Sequence, residues 1–271
     1  MPPILDDIVA HKRTEVEQAK ADTPLAELQQ LAAEAAPPRN FFAAVTRPAG
    51  STRVIAEVKR ASPSAGLIRD DFDPVAIATA YHAGGAAALS CLTDRKYFQG
   101  DLAFIHQIKD AVPLPVLRKD FLIDPYQVWE ARANGADAIL LIAECLDEPE
   151  LIDMLILATE LRMTTLLEVH SVDNLLRIRP HLGFPHPGYQ LLGINNRDLT
   201  TMTTDLSHTL RLLEMVDDPS ILVSESGIRT HDDVRKLADA GIHRLLVGEH
   251  LMKQPDITAA LESLIHGPKA A

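Results

Sequence analysis

Cysteine is scarce in this chain: two in 271 residues, Cys91 and Cys145, with no CxxC pair and no histidine at metal-ligand spacing. That argues against a disulfide framework and a thiolate metal site, and both thiols are expected to be buried in or beside apolar segments. Long apolar runs are missing too. None approaches 18 residues, so no membrane-spanning helix and no membrane partner are expected. The stretch from Leu5 to Lys12 carries charges where a signal peptide would need unbroken apolar residues, which makes a cytoplasmic protein the expectation. Positive charge is in deficit: 26 Lys and Arg against 38 Asp and Glu give a formal net charge of -12. Nucleic acid, which needs a basic face, is not an expected partner. An anionic small molecule would have to find its cations locally. Finally, no GxGxxG follows any apolar run, so the dinucleotide-binding fingerprint of an open doubly wound sheet is lacking.

What is present is an ordinary globular composition, 46% hydrophobic and 24% charged, enough for a sizeable core with disorder expected only at the termini. Residues 1–50 read as helical. Ile4, Leu5, Ile8, Val9 and Val16 recur at helical spacing, and Pro24 opens a second helix through Leu25, Leu28 and Leu31. Pro37-Pro38 breaks this pattern, and Phe41-Phe42 offers an apolar anchor to pin the segment to the main body. From residue 53 the texture changes to eight short apolar runs: Val54 to Val58, Ala87 to Leu92, Val116 to Lys119, Ala138 to Ile142, Thr165 to Val169, Leu191 to Ile194, Ile221 to Ser224 and Arg244 to Val247. Helix-like stretches alternate with them, several closed by glycine at Gly84, Gly135 and Gly241. Eight such units in about 200 residues match an α/β fold of the (β/α)8 TIM barrel type, whose strands are buried on both faces. The expectation is one barrel domain over 1–271, with 1–50 as an N-terminal helical extension packed on it. Since the chain stops soon after the eighth helical segment, near Gly267, no fused partner enzyme is expected.

In a barrel, chemistry belongs at the C-terminal strand ends. Glu57 and Lys59 are two apart, so they share a face at the end of the first run, where an acid and a base would meet in one pocket. Ser62-Pro63-Ser64 then halts the strand and supplies hydroxyls and amides suited to a phosphate oxygen. The other ends carry Lys119-Asp120-Phe121, Glu168, Asn195-Asn196-Arg197-Asp198, Glu225-Ser226-Gly227 and Gly248-Glu249. Any one could be a solvated loop residue; their convergence on one rim suits acid-base work. The loops after the last two strands often bind phosphate, and Ser226, Gly227 and Gly248 are small enough to let backbone approach an anion.

Taken together, Ile55-Ala56-Glu57-Val58-Lys59-Arg60-Ala61-Ser62-Pro63-Ser64, Leu117-Arg118-Lys119-Asp120-Phe121, Leu167-Glu168-Val169-His170, Gly193-Ile194-Asn195-Asn196-Arg197-Asp198-Leu199 and Ser224-Glu225-Ser226-Gly227-Ile228 closely resemble the indole-3-glycerol phosphate synthases. Leu92-Thr93-Asp94 with Tyr97-Phe98-Gln99-Gly100, Val247-Gly248-Glu249 and the N-terminal stretch from Ile4 to Lys12 fit as well, so nearly the whole chain is covered. The resemblance implies a phosphosugar substrate, 1-(2-carboxyphenylamino)-1-deoxyribulose 5-phosphate, closed to an indole with loss of carbon dioxide and water, and no cofactor or metal. It implies that Lys119 is the general acid, its pKa lowered by neighbouring cations. Glu168 would act as acid or base in the dehydration, and Lys59 would either hold the substrate carboxylate or serve as second acid, with Glu57 setting its position and charge. Asn195 and Arg197 would hold polar groups of the substrate, Arg197 through a bidentate carboxylate contact. Ser62, Ser226, Gly227 and Gly248 would hold the phosphate, and Phe98, Phe121 and Leu199 would wall the aromatic ring. A monomer or weak homodimer is expected. Three positions depart from the pattern: Asp101 for a serine, Ala65 for a lysine, and His250 for a small residue beside the phosphate cup. The stretch from His181 to Gln190 reads as an enlarged surface loop with solvated histidines. Two rivals remain: another phosphate-binding barrel such as an isomerase, which would need a cysteine or aspartate acid-base pair at the rim, and a barrel that binds a phosphosugar without turning it over.

Overall fold

A computed structural model describes residues 3–199 and 201–268. Eight strands form a closed parallel barrel: β1 (Arg53–Val58), β2 (Ala88–Leu92), β3 (Val116–Lys119), β4 (Ala138–Ile142), β5 (Thr164–Val169), β6 (Gln190–Asn195), β7 (Leu222–Glu225) and β8 (Arg244–Val247). β1 pairs with both β8 and β2, Ala56 facing Val247 on one side and Leu89 on the other. All eight expected runs are strands. Two end later than expected, and those extra residues, Asn195 and Glu225, are the ones that reach the mouth of the barrel.

Side-chain alternation divides each strand between two cores. Val54, Ala56 and Val58 of β1 point outward and join the packed layer between strands and helices, as do Leu89, Ile139, Leu167 and Ile194. Ile55, Ala88, Leu117, Leu140, Leu166, Leu191, Val223 and Leu246 point inward and fill the lumen. Continuing the inward set by two residues gives Glu57, Ser90, Lys119, Ile142, Glu168, Gly193, Glu225 and Gly248. The lumen is thus apolar below and polar at its C-terminal end.

The N-terminal segment runs the length of the barrel. Helix α1 (Pro3–Asp22) lies across the C-terminal ends of β2 and β3, anchored by Lys12, which is 3% exposed and places Nζ 2.8 Å from Asp94 and 2.9 Å from Asp120. Helix α2 (Leu25–Glu34) descends the outside. Of its expected apolar face only Leu28 is buried, joined by Ala32; Leu25 and Leu31 remain about half exposed, because α2 rests on the barrel by a narrow strip. Helix α3 (Phe41–Thr46) then closes the bottom. Phe41 and Val45 are fully buried among the inward residues of the strands, and Arg53 at the start of β1 donates to Ala44 O. Truncating a buried phenylalanine at such a plug costs about 3–5 kcal/mol. Arg39 ties the connection down: its amide donates to Asp137 and its guanidinium to the carbonyls of Lys109, Val112 and Leu114.

Helices around the barrel start on Asp-Pro pairs, as at Asp73-Pro74 and Asp124-Pro125, where the carboxylate accepts from the first free amides and proline needs none. Asp101, unexpected from sequence, accepts from Ala103 N at 2.9 Å and pairs with Arg95 at 3.0 Å, so it serves the turn before a helix. The 181–190 segment forms two short turns on the surface, with Phe184 exposed and His181 2.8 Å from Glu148. Both cysteines are free thiols, Cys91 buried and Cys145 partly so.

Candidate active site

The polar end of the lumen opens into a cavity of about 440 Å³. Glu57, Lys59, Lys119, Glu168, Asn195, Arg197, Ser62, Ser226, Gly227, Gly248, Phe98, Phe121 and Leu199 all line it, so the residues singled out from sequence lie around one space. On its floor Lys119 Nζ is 3.1 Å from Glu168 Oε2 and 3.8 Å from Glu225 Oε2. Lys59 and Glu57 make a short ion pair at its side. Glu57 is fixed from behind, since the buried Tyr81 hydroxyl donates to its backbone carbonyl at 3.0 Å.

The electrostatics of Lys119 differ from the expectation. Burial alone would lower its pKa, but the carboxylates of Glu168, Glu225 and Glu57 outweigh burial and raise it above the usual lysine value. The residues facing it are acids brought in by β1, β5 and β7, not the cations anticipated from the chain's basic positions. Glu168 and Glu225 split in opposite directions. Burial opposes ionisation at both; at Glu168 the charges of Lys119 and His170 prevail and keep it below the usual carboxylate range. At Glu225 burial and the neighbouring Glu168 charge prevail over Lys119, so the neutral acid is favoured and can donate a hydrogen bond to Glu168. Its Oε1 has no partner among the described residues and lies where a Cβ on Gly193 would sit, a position a neutral oxygen tolerates better than a charged one.

Around this floor lie the ligand contacts. Ser226 and Gly227 both have left-handed backbone, φ 66° and 83°, and a Cβ on Gly227 would come within 2.6 Å of Thr204. Ser62 accepts from Ala65 N at 3.2 Å in the turn after β1, which is separated from β7 only by β8. Gly248 lines the cavity, yet its bareness has a second cause. A Cβ there would collide with the Glu57 carboxylate and approach Glu57 Cβ to 2.9 Å. Arg197 already holds Glu249 Oε2 and Ser64 Oγ, each at 3.2 Å, so a carboxylate occupies its guanidinium. Asn195 accepts from the Arg197 amide at 3.0 Å. Phe98 and Phe121 stack obliquely with centroids 6.1 Å apart. His250 also lines the cavity, its pKa lowered by burial and by Arg229, so it adds no charge at neutral pH.

Three contributions were not anticipated. Glu225 and His170 stand in the motifs without an assigned role; the period-two continuation from Val223 and from Glu168 was the available signal. Ile4, Leu5 and Ile8 of α1 form an apolar part of the cavity wall, where the sequence pointed only to packing. Among the described residues, no group of three or more His, Cys, Asp or Glu is arranged to hold a metal ion, and no helix is long and apolar enough to cross a membrane.

Comparison with solved structures finds barrels of low identity. 3-Hexulose-6-phosphate synthase matches with TM-score 0.62 at 13% identity, covering 79% of this chain and 99% of that one. The tryptophan synthase alpha subunit of Legionella pneumophila matches at 0.55 and 16%, covering 80% and 92%. These likenesses concern the fold. Sequence relatives are much closer: proteins named indole-3-glycerol phosphate synthase from Rhodopirellula baltica, 48% identical over 97% of this chain and 98% of the relative, and from Acidithiobacillus ferrooxidans, 50% identical over 97% and 99%. The profile of that family matches residues 5–264. With that span and that identity, the chain belongs to the indole-3-glycerol phosphate synthase family.

Proposed function

We propose that the chain closes the pyrrole ring of 1-(2-carboxyphenylamino)-1-deoxyribulose 5-phosphate, releasing carbon dioxide and water, with Lys119 as general acid. The observation that carries the assignment is the Lys119 ammonium on the cavity floor, bracketed by Glu168 at 3.1 Å and Glu225 at 3.8 Å. As the aromatic carbon attacks the ketone, charge develops on the ketone oxygen, and a donor held there delivers its proton where the charge appears. Its carboxyl neighbours keep the resting lysine fully charged and aimed, while the neutral Glu225 limits the negative charge the floor must hold.

Glu168 then serves the dehydration, next to Lys119 in the same hydrogen-bonded group. Lys59, held by Glu57 at the cavity side, either binds the substrate carboxylate or acts as second acid. Ser226 and Gly227, with Ser62 from the turn after β1, take the phosphate; Phe98, Phe121 and Leu199 flank the aromatic ring. Lys119→Ala is expected to reduce turnover at least about 10²-fold with substrate binding largely kept, followed by the rise of indole fluorescence. Near-normal turnover in that variant would remove Lys119 from the chemistry.

A further inference from the structure

His170 stands in the wall between two cavities. The inward parity of β5 that exposes Glu168 to the barrel mouth continues to His170, whose Nε2 lies 3.3 Å from Glu168 Oε1. Its Nδ1 lies 3.3 Å from Glu144 Oε2, and its backbone amide donates to Glu144 Oε1 at 2.9 Å. The ring lines both the catalytic cavity and a second one of about 960 Å³, bordered by the exposed Asp147 and Glu148 and by Asn174, His208 and Arg211. Glu144, on the turn after β4, lines the second cavity.

The second cavity is not built to bind an anion. Arg177 is spent on the carbonyls of Ala143 and Leu146, Arg211 on Asp205, and Arg197, which also borders it, on Glu249. What it offers is a polar space beside solvent. The reaction needs one: a carboxylate leaves as neutral carbon dioxide and a hydroxyl leaves as water, so each turnover takes up one proton. Glu168 is only 2% exposed, and once substrate fills the catalytic cavity its open side is covered.

We propose that Glu144 and His170 form a relay that brings this proton from the second cavity to Glu168, and through it to Lys119. The proposal rests on the assignment of Lys119 and Glu168 above. In the step, protonated His170 releases its Nε2 proton to Glu168, and Glu168 passes a proton to the Lys119 amine left after the ketone oxygen is protonated. The neutral ring turns by half, presents its bare nitrogen to Glu144, and recovers a proton that Glu144 has taken from water. No oxidant or further reactant is needed. The groups facing the ring fit this use. Burial disfavours the imidazolium, but Glu144 and Glu168 outweigh it and raise its pKa, against the opposing charge of Lys119; His208 approaches its backbone from the helix after β6. An imidazole held between two carboxylates takes up a proton more readily than a free one and has a carboxylate on either side to exchange it with.

His170 is a positioning and relay residue, so its test must separate proton supply from architecture. In His170→Ala, single-turnover rates should fall about tenfold and recover as free imidazole is added, because the second cavity admits it beside Glu168. In Glu144→Gln, which keeps the hydrogen bond to the His170 amide, the rate should fall severalfold with a pH profile displaced to lower pH and a larger solvent isotope effect. Normal rates and pH profiles in both variants, or a loss in His170→Ala that imidazole leaves unchanged, would overturn the relay. Glu168→Gln keeps the two readings apart. If it is inactive while the relay variants behave as wild type, only the relay fails; if it is active, the role of Glu168 fails with it.

Discussion

Gly248→Ala tests whether the eighth strand end serves the phosphate or the acid-base pair. A Cβ at this position would approach Glu57 Cβ to 2.9 Å and Cδ to 3.0 Å, besides colliding with Oε1. Ordinary contact begins near 3.4 Å, so the Glu57 side chain must move by about half an ångström or more, and overpacking of this kind costs about 1–3 kcal/mol. Glu57 is buried, and among the described residues its only charged partner at salt-bridge distance is Lys59. Displacing it therefore moves Lys59. Misplacement on the order of 1 Å in a catalytic site costs roughly 10²-fold in rate, so kcat should fall about 10- to 10²-fold while KM changes less than about threefold. The assay is steady-state indole fluorescence across substrate concentrations. Glu57→Asp in the same chain shortens the obstructing side chain, and the double variant should be less impaired than the two single losses multiplied. A kcat within twofold of wild type together with a tenfold higher KM would refute the reasoning and return Gly248 to the phosphate.

Two other outcomes follow from the same geometry. Ser226→Ala with Gly227→Ala, the second forced into Thr204 from a left-handed backbone, should raise KM severalfold and change kcat less; an unchanged KM would place the phosphate elsewhere. At Asp120, burial alone would raise the pKa, yet Lys12 and Arg118 bring it from 3.8 down to about 2. A depressed carboxylate stabilises the fold above its unfolded pKa, so roughly 2 kcal/mol should be present above pH 4 and vanish as pH falls from 4 to 2. Urea midpoints measured across that window should drop more steeply for the wild type than for Asp120→Asn, and parallel curves would deny Asp120 this role.

The barrel and its rim were legible because they are written in local patterns. Apolar runs of four to six residues separated by amphipathic stretches count the strands, and a polar residue closing a buried run has no structural reason to be there. The charge state of Lys119 was not legible. Its neighbours Glu168 and Glu225 lie 49 and 106 positions away in sequence, and which of them faces it depends on the order β3, β5 and β7 take around the lumen. The steric constraint on Gly248 was not legible for the same reason. Small residues at a strand end suit an anion, but the Ala56 to Val247 register sets this one against the neighbouring strand's Glu57. The seal made by Phe41 could be anticipated as an anchor from its size and the prolines before it. That it would lie under the lumen, rather than on an outer face, depended on where the chain crosses after α2.

The acidity of the chain and its anionic substrate are compatible because the acids at the mouth hold the cations in place. Lys59 is paired with Glu57, Lys119 with Glu168, Arg197 with Glu249 and Lys12 with Asp94 and Asp120. Unpaired, two lysines and an arginine around so small a cavity would repel one another, and a buried lysine would shed its proton. Paired, each is held at a fixed point. A substrate carrying a carboxylate and a phosphate then gains by sharing cations that are already desolvated and positioned, so little ordering remains to be done on binding. The exception is informative. Glu225 is the one acid on the floor favoured in its neutral form, and it is the one whose ionisation would leave Lys119 between two full negative charges, too firmly held to release a proton.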